Sequence, residues 1–163
     1  MGSIANLWTS TFLCQTFRAT VSCAGLNVAG VSMKLEIVLE GRISLDPPGP
    51  VDKVCGINCL TLGDMACCKL LANSDRWNDD SVFSRDVLDL AHLPLTKELL
   101  AAAISKAEMA YGESIRGDLD KALHKVRVQD GWLDRCREAL AIESPRAVLW
   151  QKLKSLKQLA AMV

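Results

Sequence analysis

Lys34-Leu35-Glu36-Ile37-Val38-Leu39-Glu40 sets Leu35, Ile37 and Leu39 at alternate positions between Lys34, Glu36 and Glu40. A period of two predicts a strand with one face buried, so Glu36 points away from the core. From Thr61 onward the period changes. Leu62, Met65, Ala66, Lys69, Leu70 and Asn73 recur every three or four residues, as one stripe of a helix requires. A β-rich front followed by a helical back defines an α+β fold, with a division near residue 60: 1–60 β-rich, 61–163 helical.

On either side of the strand the signals are local. Residues 8–32 are rich in Thr, Val, Phe and Cys without helical periodicity, and read as one or two strands. Arg42 to Leu45 is expected to be the hairpin partner of 34–40, with Gly41 at the turn. Asp46-Pro47-Pro48-Gly49-Pro50 is a stiff loop, because three prolines fix φ and remove donors. Val54 to Ile57 reads as a short edge strand.

Thr61 with Asp64 three residues on is a capping-box variant that opens a helix to Arg76. Trp77 to Asp80 is a polar loop, and a second helix is expected over Ser81 to Leu93, stopped by Pro94. Thr96 caps a third helix, Lys97 to Tyr111, ended by Gly112. Helices near 114–127 and 130–142 follow. Ser144-Pro145 supplies a cap and a first-turn proline for a last helix reaching Ala161.

Composition narrows the class. The chain has 163 residues, 50% of them hydrophobic, with a formal net charge of zero. It can bury a sizeable core, and it exerts no overall pull on nucleic acid. The charge is uneven: Met1 to Leu35 holds no Asp or Glu, and its only basic residues are Arg18 and Lys34. This stretch lacks the basic start and unbroken apolar run of a signal peptide, and no segment approaches the ~20 apolar residues of a membrane span. The expectation is a soluble, cytoplasmic protein without a membrane partner. Seven cysteines, an odd number, fit reduced and mostly buried thiols better than a disulfide framework.

Three features carry chemistry. Glu36 stands on the polar face of a strand. Lys69, Asn73 and Arg76, spaced by four and three, share a stripe of one helix. Arg85, Asp86 and Asp89 open the next, with Asp86 and Asp89 on one face. Each has an ordinary alternative: a solvated strand face, a wet helix stripe, and an Arg85–Asp89 surface pair worth a few tenths of a kcal/mol. His92 is better read as a helix-end residue than as a base.

Taken in order, Lys34-Leu35-Glu36-Ile37-Val38, Leu62-Gly63-Asp64, Lys69-Leu70-Leu71-Ala72-Asn73-Ser74-Asp75-Arg76 and Ser84-Arg85-Asp86-Val87-Leu88-Asp89-Leu90 resemble the AbiEii-type nucleotidyltransferase family. The resemblance runs from about Met33 to Leu93 and more loosely through the later helices. Its members are often the toxin half of bacterial toxin–antitoxin or phage-defence modules. It implies a partial nucleotidyltransferase-like mixed sheet followed by a helical bundle. It also implies transfer of a nucleoside monophosphate from an NTP, with Mg²⁺, to an RNA or protein acceptor, and an antitoxin-like partner. Glu36 matches the third metal-binding carboxylate, Lys69 the residue that meets the triphosphate, Arg76 a second nucleotide contact, and Asp86 the acid that orients Lys69 or the acceptor.

One departure is large. The Asp-x-Asp pair of this fold should precede Glu36, and no acid lies there. One carboxylate does not hold two divalent ions against their hydration. The chain is then either a fragment without its front or a degenerate member. As an enzyme it is incomplete unless another chain supplies the missing ligands. The alternative is a non-catalytic module that contacts a protein partner or RNA through its helices. The last helix bears on this: Arg146, Lys152, Lys154 and Lys157 stand without any acid after Glu143, beside an apolar stripe of Leu149, Leu153, Leu156 and Ala160. That stripe packs on the bundle or docks a partner. Apolar surface left open by a missing front favours self-association.

Overall fold

The computed structural model describes residues 21–38 and 41–163, which divide into two compact units at Ser44/Leu45.

The first unit contains an antiparallel hairpin of β1 (Val21–Val28) and β2 (Val31–Val38), in which Cys23 pairs with Glu36 and Gly25 with Lys34. The Lys34–Glu40 strand is thus present through Val38, with Leu39 and Glu40 outside the described residues. Its partner differs from expectation. The chain turns at Ala29-Gly30 with φ of 51° and 83°, and the Gly30 amide donates to Asn27 Oδ1 at 3.1 Å. Two successive left-handed residues make the two-residue loop that suits twisted strands, so β1 occupies the edge assigned above to Arg42–Leu45. Residues 42 and 43 form a bend, and the prolines beyond them oppose strand pairing. The expected strands of 8–32 appear here from Val21; residues 8–20 lie outside the described set. The apolar face expected to be buried is open: Leu35 is 48% exposed and Ile37 57%. Alternation alone fixes which residues share a face, and a two-stranded hairpin has no second layer of its own to cover one.

The second unit starts with the proline loop, where Asp52 Oδ2 accepts from the Gly49 amide at 2.8 Å. The expected edge strand is two short ones, β3 (Lys53–Val54) and β4 (Ile57–Asn58), hinged on Cys55-Gly56 with φ of 51° and 81°. Six helices follow. Helix α1 (Leu62–Arg76) begins where the Asp64 amide donates to Thr61 Oγ1 at 3.1 Å. Helix α3 (Lys97–Tyr111) begins where the Leu99 amide donates to Thr96 Oγ1 and ends at Gly112, φ 69°. Both match their expected bounds, because cap and stop are local chemistry. Helices α4 (Ser114–Val128) and α6 (Arg146–Ala161) also fall as expected. Helix α5 (Trp132–Ala139) is shorter than 130–142, bounded by Gly131 at φ 67° and Ala141 at φ 50°.

The second expected helix is broken. A single 3₁₀ turn (Asp80–Val82) precedes α2 (Arg85–His92), and Phe83 and Ser84 between them both adopt left-handed backbone, φ 51° and 50°. Non-glycine residues adopt this conformation at a cost, so something must hold them. Trp132 of α5 does. Its buried Nε1–H donates to Ser84 Oγ at 2.9 Å, and its ring stacks on Phe83 with centroids 6.1 Å apart.

The helices close around one core. Leu70 and Leu71 of α1, Leu88 and Leu90 of α2, Leu100 and Ile104 of α3, Leu119 and Leu123 of α4, and Trp132 of α5 are all buried. Leu149, Leu153 and Leu156 of α6 join them, so the last helix spends its apolar stripe on the bundle. Each such aliphatic side chain contributes about 1.5–3 kcal/mol relative to exposure. The fold is α+β with a helical C-terminal region. Among the described residues, no helix is long and apolar enough to cross a membrane.

Candidate functional site

Lys69, Asn73 and Arg76 run along α1 where it packs against α2, and the first turn of α2 brings Asp86 up to them. Arg76 forms a two-pronged pair with Asp86: Nε to Oδ2 at 2.7 Å and Nη2 to Oδ1 at 2.9 Å. Lys69 Nζ donates to Asp89 Oδ2 at 2.5 Å and lies 3.8 Å from Asp86 Oδ1. Asp86 is 3% exposed, whereas Lys69 and Arg76 keep 30% and 42% of their side chains in solvent. The arrangement is therefore layered, with a buried carboxylate beneath two cations whose heads reach water. The Arg76–Asp86 hydrogen bond pushes the guanidinium pKa up, against burial, so its charge is permanent.

The structure thus brings Lys69, Arg76 and Asp86 together, with Asp89 as a fourth member. Glu36 belongs to the other unit, where Lys34 Nζ pairs with its Oε1 at 2.6 Å. Arg85 makes none of the bonds just described, and His92 Nδ1 meets the Leu88 carbonyl at 2.8 Å, as a helix-end residue does.

A divalent metal fits poorly with the described donors. No group of three or more His, Cys, Asp or Glu among the described residues is arranged to hold an ion. Asp86 and Asp89 are already matched by two cations, and a metal would have to displace both. The solvent-facing heads of Lys69 and Arg76 are N–H donors of the kind that phosphates accept from, although both are engaged with carboxylates here.

A second charged cluster has almost no signal in the sequence. Asp64 is fully buried and accepts from Lys106 Nζ at 2.5 Å, from the Asp46 amide at 2.7 Å and from Thr61 Oγ1 at 3.1 Å. Burial pushes the Asp64 carboxyl up, but these three bonds together bring it below the usual carboxylate range. The same bond to Asp64 raises the Lys106 ammonium. Lys106 also reaches Asp46 Oδ2 at 3.2 Å, so the pair fastens the proline loop to α1 and α3. The only local hint is a lysine among the alanines of α3. Cys136, beneath Ser84, is pushed up to about 11 by burial and is therefore a neutral packing thiol. None of Cys55, Cys59, Cys67, Cys68 and Cys136 is in a disulfide.

The helical unit therefore sets a basic pair, Lys69 and Arg76, over one buried acid, Asp86, with the half-exposed Asp89 beside them. A family model described as nucleotidyl transferase AbiEii toxin, type IV toxin–antitoxin system, matches residues 11–156, all but the two ends of the chain. The chain belongs to the AbiEii family. Nucleotidyl transferases generally use an NTP and a divalent metal, and a toxin of this kind has an antitoxin counterpart. Neither the curated proteins nor the solved structures give a match.

Proposed function

We propose that the α1–α2 cluster is the phosphate-contacting part of a nucleotidyl transferase toxin, and that this chain alone lacks the metal ligands to complete the reaction. The layered geometry carries the reading: Lys69 and Arg76 reach solvent over a carboxylate that is 3% exposed. In this reading Lys69 and Arg76 meet the triphosphate of an NTP. Asp86 keeps Lys69 and Arg76 in register and charged until the ligand arrives. Glu36 is the remaining metal-type acid, and Mg²⁺ would need further ligands from elsewhere. The acid-free residues 11–35 lie inside the family match, which supports lost ligands over an ordinary active front. RNA or protein is the acceptor class, and an antitoxin-like protein the counterpart.

The ordinary reading of Lys69–Asp89 as a surface pair predicts no ligand. ATP binding, measured by titration calorimetry with and without Mg²⁺, separates the two. Lys69→Gln and Arg76→Gln should each weaken ATP binding roughly tenfold, since a charge-assisted contact is worth about 1.5–3 kcal/mol. Unchanged affinity in both variants would leave the non-catalytic module as the working reading. That alternative is favoured by one specific fact: among the described residues no group of three or more His, Cys, Asp or Glu is arranged to hold a metal.

A further inference from the structure

Asn73 is 2% exposed, and its Nδ2 is buried without a hydrogen-bond partner. Among the described residues only Arg127 Nε shares that condition. A buried donor left unpaired costs about 1–3 kcal/mol, and a leucine or alanine at this place would avoid it. The orphan amide is also not placed at random. Asn73 lies four residues after Lys69 and three before Arg76, on the α1 stripe between the two cations that approach Asp86.

Asp86 gives the amide a use. Its carboxylate depends on Arg76 for two hydrogen bonds and on Lys69 for a second positive neighbour at 3.8 Å. A ligand phosphate competes for those same groups. If Arg76 turned to the ligand and nothing replaced it, a carboxylate that is 3% exposed would lose both of its bonds. Uncompensated buried charge is strongly unfavourable, so the exchange needs a stand-in donor on the buried side. An amide N–H₂ supplies one without adding charge.

We propose that Asn73 is a positioning residue whose side-chain amide takes over Asp86 when a phosphate-bearing ligand draws Arg76 away. The inference rests on the reading of Lys69 and Arg76 as phosphate contacts. The amide is unpaired in the resting arrangement and paired in the occupied one, so the cost of the orphan donor is relieved by ligand binding. Asn73 thereby favours the occupied state and need not touch the ligand.

The test is ATP titration of the full chain, with thermal unfolding measured in parallel, for wild type, Asn73→Leu, Asn73→Ala, Arg76→Gln and the Asn73→Leu/Arg76→Gln pair. The proposal expects Asn73→Leu to unfold at the same temperature as wild type or higher, yet to bind ATP about tenfold more weakly. In the Arg76→Gln background the same substitution should make no further difference to binding. Asn73→Ala should weaken binding likewise, and serves if leucine prevents folding. A merely structural asparagine would instead lower stability when replaced and would act equally in both backgrounds; that pattern overturns the proposal, as does unchanged ATP affinity in Asn73→Leu. Absence of ATP binding by wild type would overturn the reading of the site itself, and the inference with it.

Discussion

Lys106→Met is expected to destabilise the helical unit by about 3–5 kcal/mol, the cost of stranding a buried charge by removing its partner. Asp64 is 0% exposed and Lys106 only 19%, so solvent cannot take the place of the ammonium. Thr61 and the Asp46 amide would still donate to the carboxylate, but both are neutral. Adding Asp64→Asn to Lys106→Met should recover much of the loss, because it removes the stranded charge. Urea unfolding at pH 7 measures each variant.

The pH dependence has a definite sign. Asp64 titrates lower in the folded chain than an unfolded aspartate, so the unfolded state binds more protons between the two values. Its contribution is fully present above about pH 4, the unfolded value, and is lost as pH falls through the folded one. Lys106, raised by the same bond, holds its contribution below about pH 10 and loses it as pH rises through its folded value. The gap between wild type and Lys106→Met should therefore be widest between those limits and narrow below about pH 4. A gap that does not change with acid would contradict the assignment.

Trp132→Ala is expected to cost a similar ~3–5 kcal/mol, as truncation of a fully buried aromatic does. Trp132→Phe is more informative. It keeps a ring against Phe83 and beneath Lys125 and Arg135, whose cations lie 5.2 Å from the indole centroid. It removes the N–H that donates to Ser84 Oγ, at a cost of about 1–3 kcal/mol for the hydroxyl left buried without its donor, and adds the smaller cost of the cavity left by the narrower ring. Ser84 is the left-handed residue from which α2 starts, two positions before Asp86. Loosening it should shift Asp86 under Lys69 and Arg76 and weaken ATP binding several-fold more than the lost stability explains. Unfolding and ATP titration on one preparation check both parts; full stability in Trp132→Phe would show that the indole does not hold the left-handed pair.

These two sites also show what the sequence makes legible. The bounds of α1 and α3 follow from residues at their own ends: Thr61 and Thr96 at the starts, Gly112 at one stop. The stripe Lys69, Asn73, Arg76 and the face shared by Asp86 and Asp89 follow from helical spacing, and packing of α1 on α2 brings the two together. The break at Phe83 and Ser84 has no local signal, because its cause, Trp132, lies 48 residues from Ser84. The Asp64–Lys106 pair spans 42 residues and is invisible for the same reason. The hairpin partner is hidden by a stronger glycine signal elsewhere. Gly41 offers a turn between two alternating segments, while Ala29-Gly30 lacks the Asn or Asp that usually marks a two-residue loop.

The proposed role of Lys69 and Arg76 is that of phosphate contacts in a chain that needs further metal ligands to catalyse transfer. Nucleotidyl transfer tests it most directly. The folded protein is incubated with Mg²⁺, each labelled nucleoside triphosphate and total RNA, beside a Glu36→Ala control. The wild-type chain is expected to bind ATP, and neither sample to transfer label to RNA or protein. Label transferred by wild type and lost in Glu36→Ala would contradict this expectation, and would show that Glu36 works with metal ligands this chain does possess.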